Sequence, residues 1–479
     1  MNYLGFDAYE KSINKIGSYL VFMAKEGDET VIIAQREGTP GEPWFIGKDL
    51  GDGKVRASLT HENAETLRKL FPFTAPVRVL RHDRSFGVGD RLGIAVFGHI
   101  RLFEEYDAYP VFAQQSIREL NLTNRTFEDV LDTVTFAVFR EGFKKGFGAD
   151  GDHLKTFKDV EYALSLGFSM ITLDCSDHIK NDVTEKNTPP LPKHYADKYL
   201  DKKFDIGEGI SLSFSEGELK TTLAIYGEAI NFAANMYTRF LKDGRYKADL
   251  EISIDETLAP TTPLQHFFVA RELIDAGVSF VTLAPRFCGE FQKGIDYIGD
   301  LARFEEEINI HAVIARHFNY KLSIHSGSDK FSVFPSIGRE TRGVFHVKTA
   351  GTNWLEAMRI VAMTDPDLYR EVHTYALSAF SEAVKYYHVT TDLSKIPDVS
   401  TLKDEDLPAL FDQNNARQLI HITYGLILNK KNADGSFAFK DRLYKLWKNH
   451  EAEYAAALIK HIGKHLDLLG VRKSQGIVR

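Results

Sequence analysis

The sequence predicts an α/β protein built around a TIM-type (β/α)8-like barrel, with a small N-terminal α+β segment and a helical C-terminal extension. Three observations predict it. Between residues 77 and 352 the chain repeats helix, glycine stop, short β-branched strand and polar tip, the signature of βα units in a parallel sheet. The polar tips form a set: Asp174 with Asp177 and His178, Asp255 and Glu256, Arg286, His325, Lys348. All would fall on the carboxyl side of the sheet, where barrels place their chemistry. From Asn353 onward the strand signal vanishes and helical periodicity alone remains. The boundaries read 1–76, 77–352 and 353–479.

In the first segment, Tyr19 to Lys25 and Thr30 to Gln35 are β-rich runs separated by Glu26-Gly27-Asp28-Glu29, a hairpin signal. Thr60 is placed to N-cap a helix carrying Leu67, Leu70 and Phe71. In the second segment, Val160, Ala163 and Leu164 give a helical face ended by Gly167, and Met170 to Leu173 follows as a strand. Thr262-Pro263 opens a helix with Leu264, Phe267, Phe268 and Leu273, closed by Gly277, and Val278 to Leu283 reads as the next strand. Leu301, Phe304, Ile308 and Ala312 form a further face that leads into a strand at Lys321. In the third segment, Leu355–Val361, Tyr375–Tyr387, Ala416–Leu428 and Arg442–Leu469 read as helices that pack on the barrel or form a homo-oligomer interface.

Composition narrows the function. A hydrophobic share of 43% and a charged share of 26% describe a soluble globular protein. A net charge of −8 and a pI near 6.1 argue against a nucleic-acid partner, because no basic face supplies phosphate contacts. Cys175 and Cys288 make no disulfide framework and fit a reducing cytosol. The N-terminus lacks the apolar core of a signal peptide and no run is long enough to span a bilayer, so a cytoplasmic location without a membrane partner is expected.

The densest chemistry lies between Tyr320 and Gly351. Two strand-like runs, Lys321–Ile324 and Val344–Val347, deliver His325 and His346, each followed closely by a lysine, Lys330 and Lys348. Imidazoles at neighbouring strand ends with ammonium groups nearby suggest a metal and an anionic or polyhydroxylated substrate. Either histidine alone reads as an ordinary hydrogen-bonded core residue. Asp152-His153, in a glycine-rich segment, has the plain reading of an N-cap. Two carboxylates after a buried strand, Asp255 and Glu256, need a cation or a donor. Arg286 reads as a structural ion pair or as a two-pronged grip on a substrate carboxylate. Residues 85–93, SFGVGDRLG, look like a phosphate loop, but Asp90 would repel phosphate and no Lys-Ser/Thr follows. No GxGxxG follows a first strand, which argues against a nicotinamide.

Several segments together carry a resemblance: SFGVGDRLGI at 85–94, VFAQQSIRE at 111–119, EGFKKGFGADGDH at 141–153, IDETLAPTTPL at 254–264, GIDYIGDLARFE at 294–305, IHSGSDKFSVFP at 324–335, FHVKTAGTNWLEA at 345–357 and RQLIHITYG at 417–425. In this order they resemble the tagaturonate/fructuronate epimerase family over nearly the whole chain. The resemblance implies a metal-dependent isomerase of hexuronate breakdown that also accepts tagatose and fructose. It implies His153, His325 and His346 as ligands of a divalent cation (zinc, nickel, manganese, cobalt or iron), Asp152 as proton acceptor and Glu256 as proton donor. Arg286, Lys330, Lys348 and Asp177 are the expected substrate contacts. The inverted carbon lies β to the ketone, so its C–H is not acidified, and metal-assisted retro-aldol cleavage is the economical route. Two rival readings use the same residues: a barrel glycosidase with Asp152 and Glu256 as paired carboxylates and no metal, and a non-catalytic sugar-acid-binding protein.

Overall fold

Eight short strands, most with polar residues at alternate positions, close into a parallel barrel in the computed structural model, which describes residues 1–37, 44–184 and 188–474. In chain order they are β1 (Arg84–Val88), β2 (Tyr109–Ser116), β3 (Gly148–Leu154), β4 (Met170–Asp174), β5 (Asp249–Ile254), β6 (Thr282–Pro285), β7 (Lys321–Ile324) and β8 (Phe345–Thr349). Each pairs with its sequence neighbour, and β8 pairs with β1 in register His346↔Ser85 and Lys348↔Gly87. The polar share of each strand points inward. Asp150, Thr172, Glu251, Thr282 and Lys348 bond to one another across the lumen. The alternate residues, among them Phe86, Ile171, Leu173, Ile252, Leu283, Leu322 and Phe345, are buried against the surrounding helices. Strands buried on both faces need not read as continuous apolar runs when the inner face is an ionic network.

The N-terminal segment is a seven-stranded antiparallel sheet that includes Tyr19–Glu26 and Glu29–Arg36, paired through the expected hairpin. Alternation decides its two faces. Val21, Met23, Ile32 and Ala34 pack with Ala64 and Leu67 of the helix His61–Leu70 and with Phe136 and Phe139 of the helix Phe127–Glu141. Phe22, Ala24, Val31 and Ile33 form a second small core on the opposite face. Thr60 caps its helix by accepting from the Asn63 amide.

Other expectations shift. The strand expected at Val278–Leu283 begins later, at Thr282, and runs to Pro285. Two of the expected C-terminal helices are each two helices: Asn414–Ile422 and Tyr424–Asn429, then Lys440–Asn449 and Glu451–Leu468, with His450 outside the helical region at the second break. The helix expected from Tyr375 starts at Pro366, where Asp365 caps it, and ends at Ala383. Between β4 and β5 the chain inserts a two-stranded hairpin and the 25-residue helix Glu216–Phe240, opened by a reciprocal Ser215–Glu218 capping box.

The C-terminal helices reach the carboxyl end of the barrel. Arg417 donates to the Gly294 carbonyl at 2.7 Å and to Asp329 at 2.7 Å, which ties the loops after β6 and β7 to the helix Asn414–Ile422. His461 contacts Asp329 from the last helix, with Glu356 3.2 Å from its other ring nitrogen. Trp354 and Trp447 are fully buried and donate to the carbonyls of Ile420 and Ala357. Among the described residues, no helix is long and apolar enough to cross a membrane.

Candidate active site

A cavity of about 310 Å³ opens at the carboxyl end of the strands. Its wall includes Asp152 and His153 of β3, Asp255 and Glu256 after β5, Arg286 after β6, His325 after β7 and Lys348 of β8. On a regular strand Asp152 and His153 would point to opposite faces. A bulge between Gly151 and Leu154 breaks the β3–β4 register, and His153 adopts a left-handed φ of 51°. This conformation is costly for a residue with a Cβ, and it turns His153 to the same cavity as Asp152. Two residues before His153 the backbone is tightly packed at Gly151, where a Cβ would lie 2.9–3.1 Å from the side chains of Leu154, Ala163 and Ile171.

The two imidazoles face each other, with ring centroids 4.9 Å apart and planes at 72°. Each is held through one nitrogen by a buried carboxylate: His153 Nδ1 by Asp174 at 3.2 Å, and His325 Nε2 by Glu251 at 2.7 Å. His325 Nδ1 lies 3.2 Å from Asp255, whose carboxylate also accepts from Ser253 at 2.5 Å. Burial disfavours the charge on both rings. Asp255 and Glu251 nevertheless raise His325 to about 10, and Asp152 with Asp174 raises His153 to about 8. One donor atom each from His153, Asp255 and His325 lies within 4.8 Å of the others, and His153, Asp174 and Glu256 form a second such group. Two imidazoles and a carboxylate, each imidazole oriented by a further carboxylate, is a donor set that fits a divalent transition-metal ion.

Lys348 anchors the floor. Its ammonium lies 2.8 Å from Asp150 and 3.2 Å from Glu251, contacts Asp152, and donates to Thr172 at 2.6 Å. Asp150 pays for its burial by holding its proton more tightly, up to about 6, although Lys348 opposes that shift. Asp152 is likewise buried, but Lys348 and His153 outweigh this and hold it ionised below the usual carboxylate range.

The remaining expected residues scatter. His346 faces the lumen level with Ser323, two residues below His325 on the neighbouring strand, and does not line the cavity. Its Nδ1 bonds Ser85 Oγ at 2.9 Å, its Nε2 is buried without a hydrogen-bond partner, and burial with Lys321 and Lys348 pushes it down to about 3. Lys330 is buried and donates to the carbonyls of Gln292, Ile295 and Ser328, so it braces a loop. Arg286 lines the cavity but donates to the Thr257 carbonyl, with Glu290 at 3.8 Å. Asp177 is exposed, bonds Lys155 at 2.8 Å and is not part of the cavity wall. Asp90 accepts from the amides of Leu92, Gly93 and Ala95, so the loop that looked like a phosphate cradle carries its own carboxylate.

Sequence reasoning marks Asp174 and Asp255 as strand-tip carboxylates without giving them a role, and it does not mark Asp150 or Glu251. For Glu251 the signal is present: Asp249, Glu251, Ser253 and Asp255 recur every second residue. Arg118 and Lys293 also line the cavity without a role read from the sequence, although Arg118 lies in the segment 111–119 and Lys293 directly precedes the segment 294–305.

A family model described as "UxaE: tagaturonate epimerase" matches residues 9–469. The chain is 46% identical over 477 residues to the tagaturonate/fructuronate epimerase of Thermotoga maritima, covering 97% of each. It is 48% identical to the fructuronate-tagaturonate epimerase UxaE of Cohnella laeviribosi, covering 98% of this chain and 97% of that one. The TM-score is 0.94 for that protein's native crystal structure and 0.93 for a complex with one glycerol.

Proposed function

The chain belongs to the tagaturonate epimerase family, and from that premise we propose that it interconverts tagaturonate and fructuronate by retro-aldol cleavage and re-addition, with a divalent cation held at His153, Asp255 and His325. The observation that carries the proposal is the convergence of those three donors, within 4.8 Å of one another, in a cavity that also holds Asp152 and Glu256.

Epimerisation inverts a carbon β to the ketone, and no base can remove its hydrogen to a stabilised anion. Opening the adjacent carbon–carbon bond avoids that demand. A bound divalent cation supplies Lewis-acid stabilisation of the negative charge that develops next to the ketone. Asp152, kept ionised by Lys348, accepts the proton of the β-hydroxyl as the bond opens. The aldehyde fragment rotates, and Glu256 serves the hydroxyl proton on the opposite face as the bond re-forms. Asp174 and Glu251 fix the orientation of His153 and His325. The carboxylate of the substrate takes no part in bond breaking, so fructose and tagatose are expected to react at C4 as poorer substrates.

The test is elemental analysis and turnover of tagaturonate by the wild type and by His153→Ala, Asp255→Asn, His325→Ala and His346→Ala. The expected result is that the first three variants lose bound cation and activity while the folded His346→Ala protein keeps its cation. Cation lost from His346→Ala but retained by Asp255→Asn would replace this ligand set with three histidines. Full activity of a thoroughly chelated wild type would end the metal proposal.

A further inference from the structure

Nearly every charge on the cavity wall is already answered by protein. Asp152 contacts Lys348, Asp255 bonds His325, and Glu119 takes the Arg91 guanidinium at 2.6 Å. Arg286 has Thr257 and Glu290. Among the described residues three charges stand outside this scheme: the Glu256 carboxylate, given a proton-transfer role above, and two cations. Arg118, the second residue of the helix that follows β2, has no hydrogen bond or ion pair among the described residues, and its guanidinium carbon lies 5.2 Å from the centre of the Tyr387 ring. Lys293, after β6, has one side-chain partner among the described residues, the uncharged Ser326 hydroxyl at 3.1 Å. Both line the cavity. Burial and the neighbouring Arg118 charge lower the Lys293 pKa against the opposing pull of Glu119 and Glu256, so the two cations share one local field.

An aromatic ring covers one face of the Arg118 guanidinium and leaves its N–H edge free, the presentation that suits a planar carboxylate. Glu119 and Glu256 act on both cations through space, but among the described residues neither carboxylate makes a hydrogen bond or ion pair with them, so their N–H groups remain available to a bound anion. Resting on the hexuronate reading above, we propose that Arg118 and Lys293 together bind the substrate carboxylate and set the preference for a sugar acid over its neutral counterpart. They touch the non-reacting end of the substrate, so they act on binding and leave bond breaking to the β3, β5 and β7 residues.

The test separates charge recognition from turnover. Calorimetry measures binding of D-gluconate, which carries the carboxylate and cannot react, and of D-glucitol, its neutral analogue. Wild type, Arg118→Met, Arg118→Lys and Lys293→Met are compared, with thermal melts to confirm folding. Hydrogen bonds to charged groups are worth roughly 10–100-fold each in affinity. Gluconate is therefore expected to bind the wild type at least about tenfold more tightly than glucitol. Each methionine variant is expected to lose about tenfold or more for gluconate alone, with partial recovery in Arg118→Lys. On tagaturonate, Arg118→Met is expected to raise KM by a similar factor with kcat little changed. A wild type that binds both ligands equally, or variants that keep gluconate or lose both ligands alike, overturns the inference. A wild type that binds gluconate through these residues but does not turn over tagaturonate overturns the proposed function and leaves this assignment standing.

Discussion

Lys348→Met tests whether charge balance holds the barrel lumen together. The Lys348 side chain is 4% exposed and faces Asp150, Asp152 and Glu251, which are as deeply buried. Methionine fills much of the same space without the charge, so the loss is chiefly the cost of leaving carboxylates uncompensated. Removing one partner of a buried ion pair costs about 3–5 kcal/mol. An unfolding entropy near 2.1 cal/mol/K per residue gives roughly 1 kcal/mol/K for 479 residues unfolding as one unit, so the melting temperature at pH 8 is expected to fall by about 3–5 °C. The sign of the pH dependence follows from linkage. Carboxylates stranded without Lys348 have folded pKa values above their unfolded ones, and such groups favour the fold in their protonated form. The deficit should therefore shrink as the pH is lowered from 8 to 5, and adding Asp150→Asn should restore part of it at pH 8. Differential scanning calorimetry of wild type and variants at three pH values provides the measurement. A deficit below about 1 °C, or one of equal size at every pH, would refute the argument by showing that lost volume, not lost charge, is responsible.

Asp152→Asn and Glu256→Gln should each keep the cation and lose turnover by about a hundredfold or more, and near wild-type rates in either remove that residue from the proton path. Asp174→Ala should weaken cation binding by about 10–100-fold, read by metal titration, because His153 loses the partner that fixes its ring. Tagaturonate converted in deuterated water should give fructuronate without deuterium at the inverted carbon, since that hydrogen rides on the aldehyde fragment; full incorporation by NMR contradicts retro-aldol cleavage. Burial opposes charge on His461, but Asp329 and Glu356 raise it to about 9. Its stabilising contribution, on the order of 3 kcal/mol, is complete below about pH 6.5 and lost as the pH rises through 9. His461→Gln should therefore be less stable than wild type at pH 6, and the gap should narrow above pH 9; a constant gap in melting temperature counts against it.

The sequence carried the barrel, because helix, glycine stop and strand are local patterns and the hairpin at Gly27-Asp28 and the Thr60 cap are local chemistry. It carried the strand tips as well, since Asp152, Glu256, His325 and Lys348 do line one cavity. Lumen residues were harder to see. Alternation at Leu250, Ile252 and Ile254 marks a face packed on helices, but only barrel closure puts Glu251 opposite Lys348. Residue type also cannot reveal who claims whom. Lys330 and Lys293 look alike on paper, yet three carbonyls absorb one and the other is left facing the cavity. His153 reaches the site through a bulge and a left-handed backbone, which no hydropathy pattern encodes.

The crossed salt bridges of the lumen have a consequence for how the chain is made. Asp150 and Glu251 leave the ribosome on the third and fifth strands, while the ammonium that neutralises them arrives only on the eighth. His325 reaches Glu251 only after the seventh strand, so any nascent half-barrel that tried to bury those carboxylates would hold unbalanced negative charge, and water remains the better home for them. Premature compaction is thereby discouraged, and the last strand acts as the latch whose arrival makes the closed ring favourable.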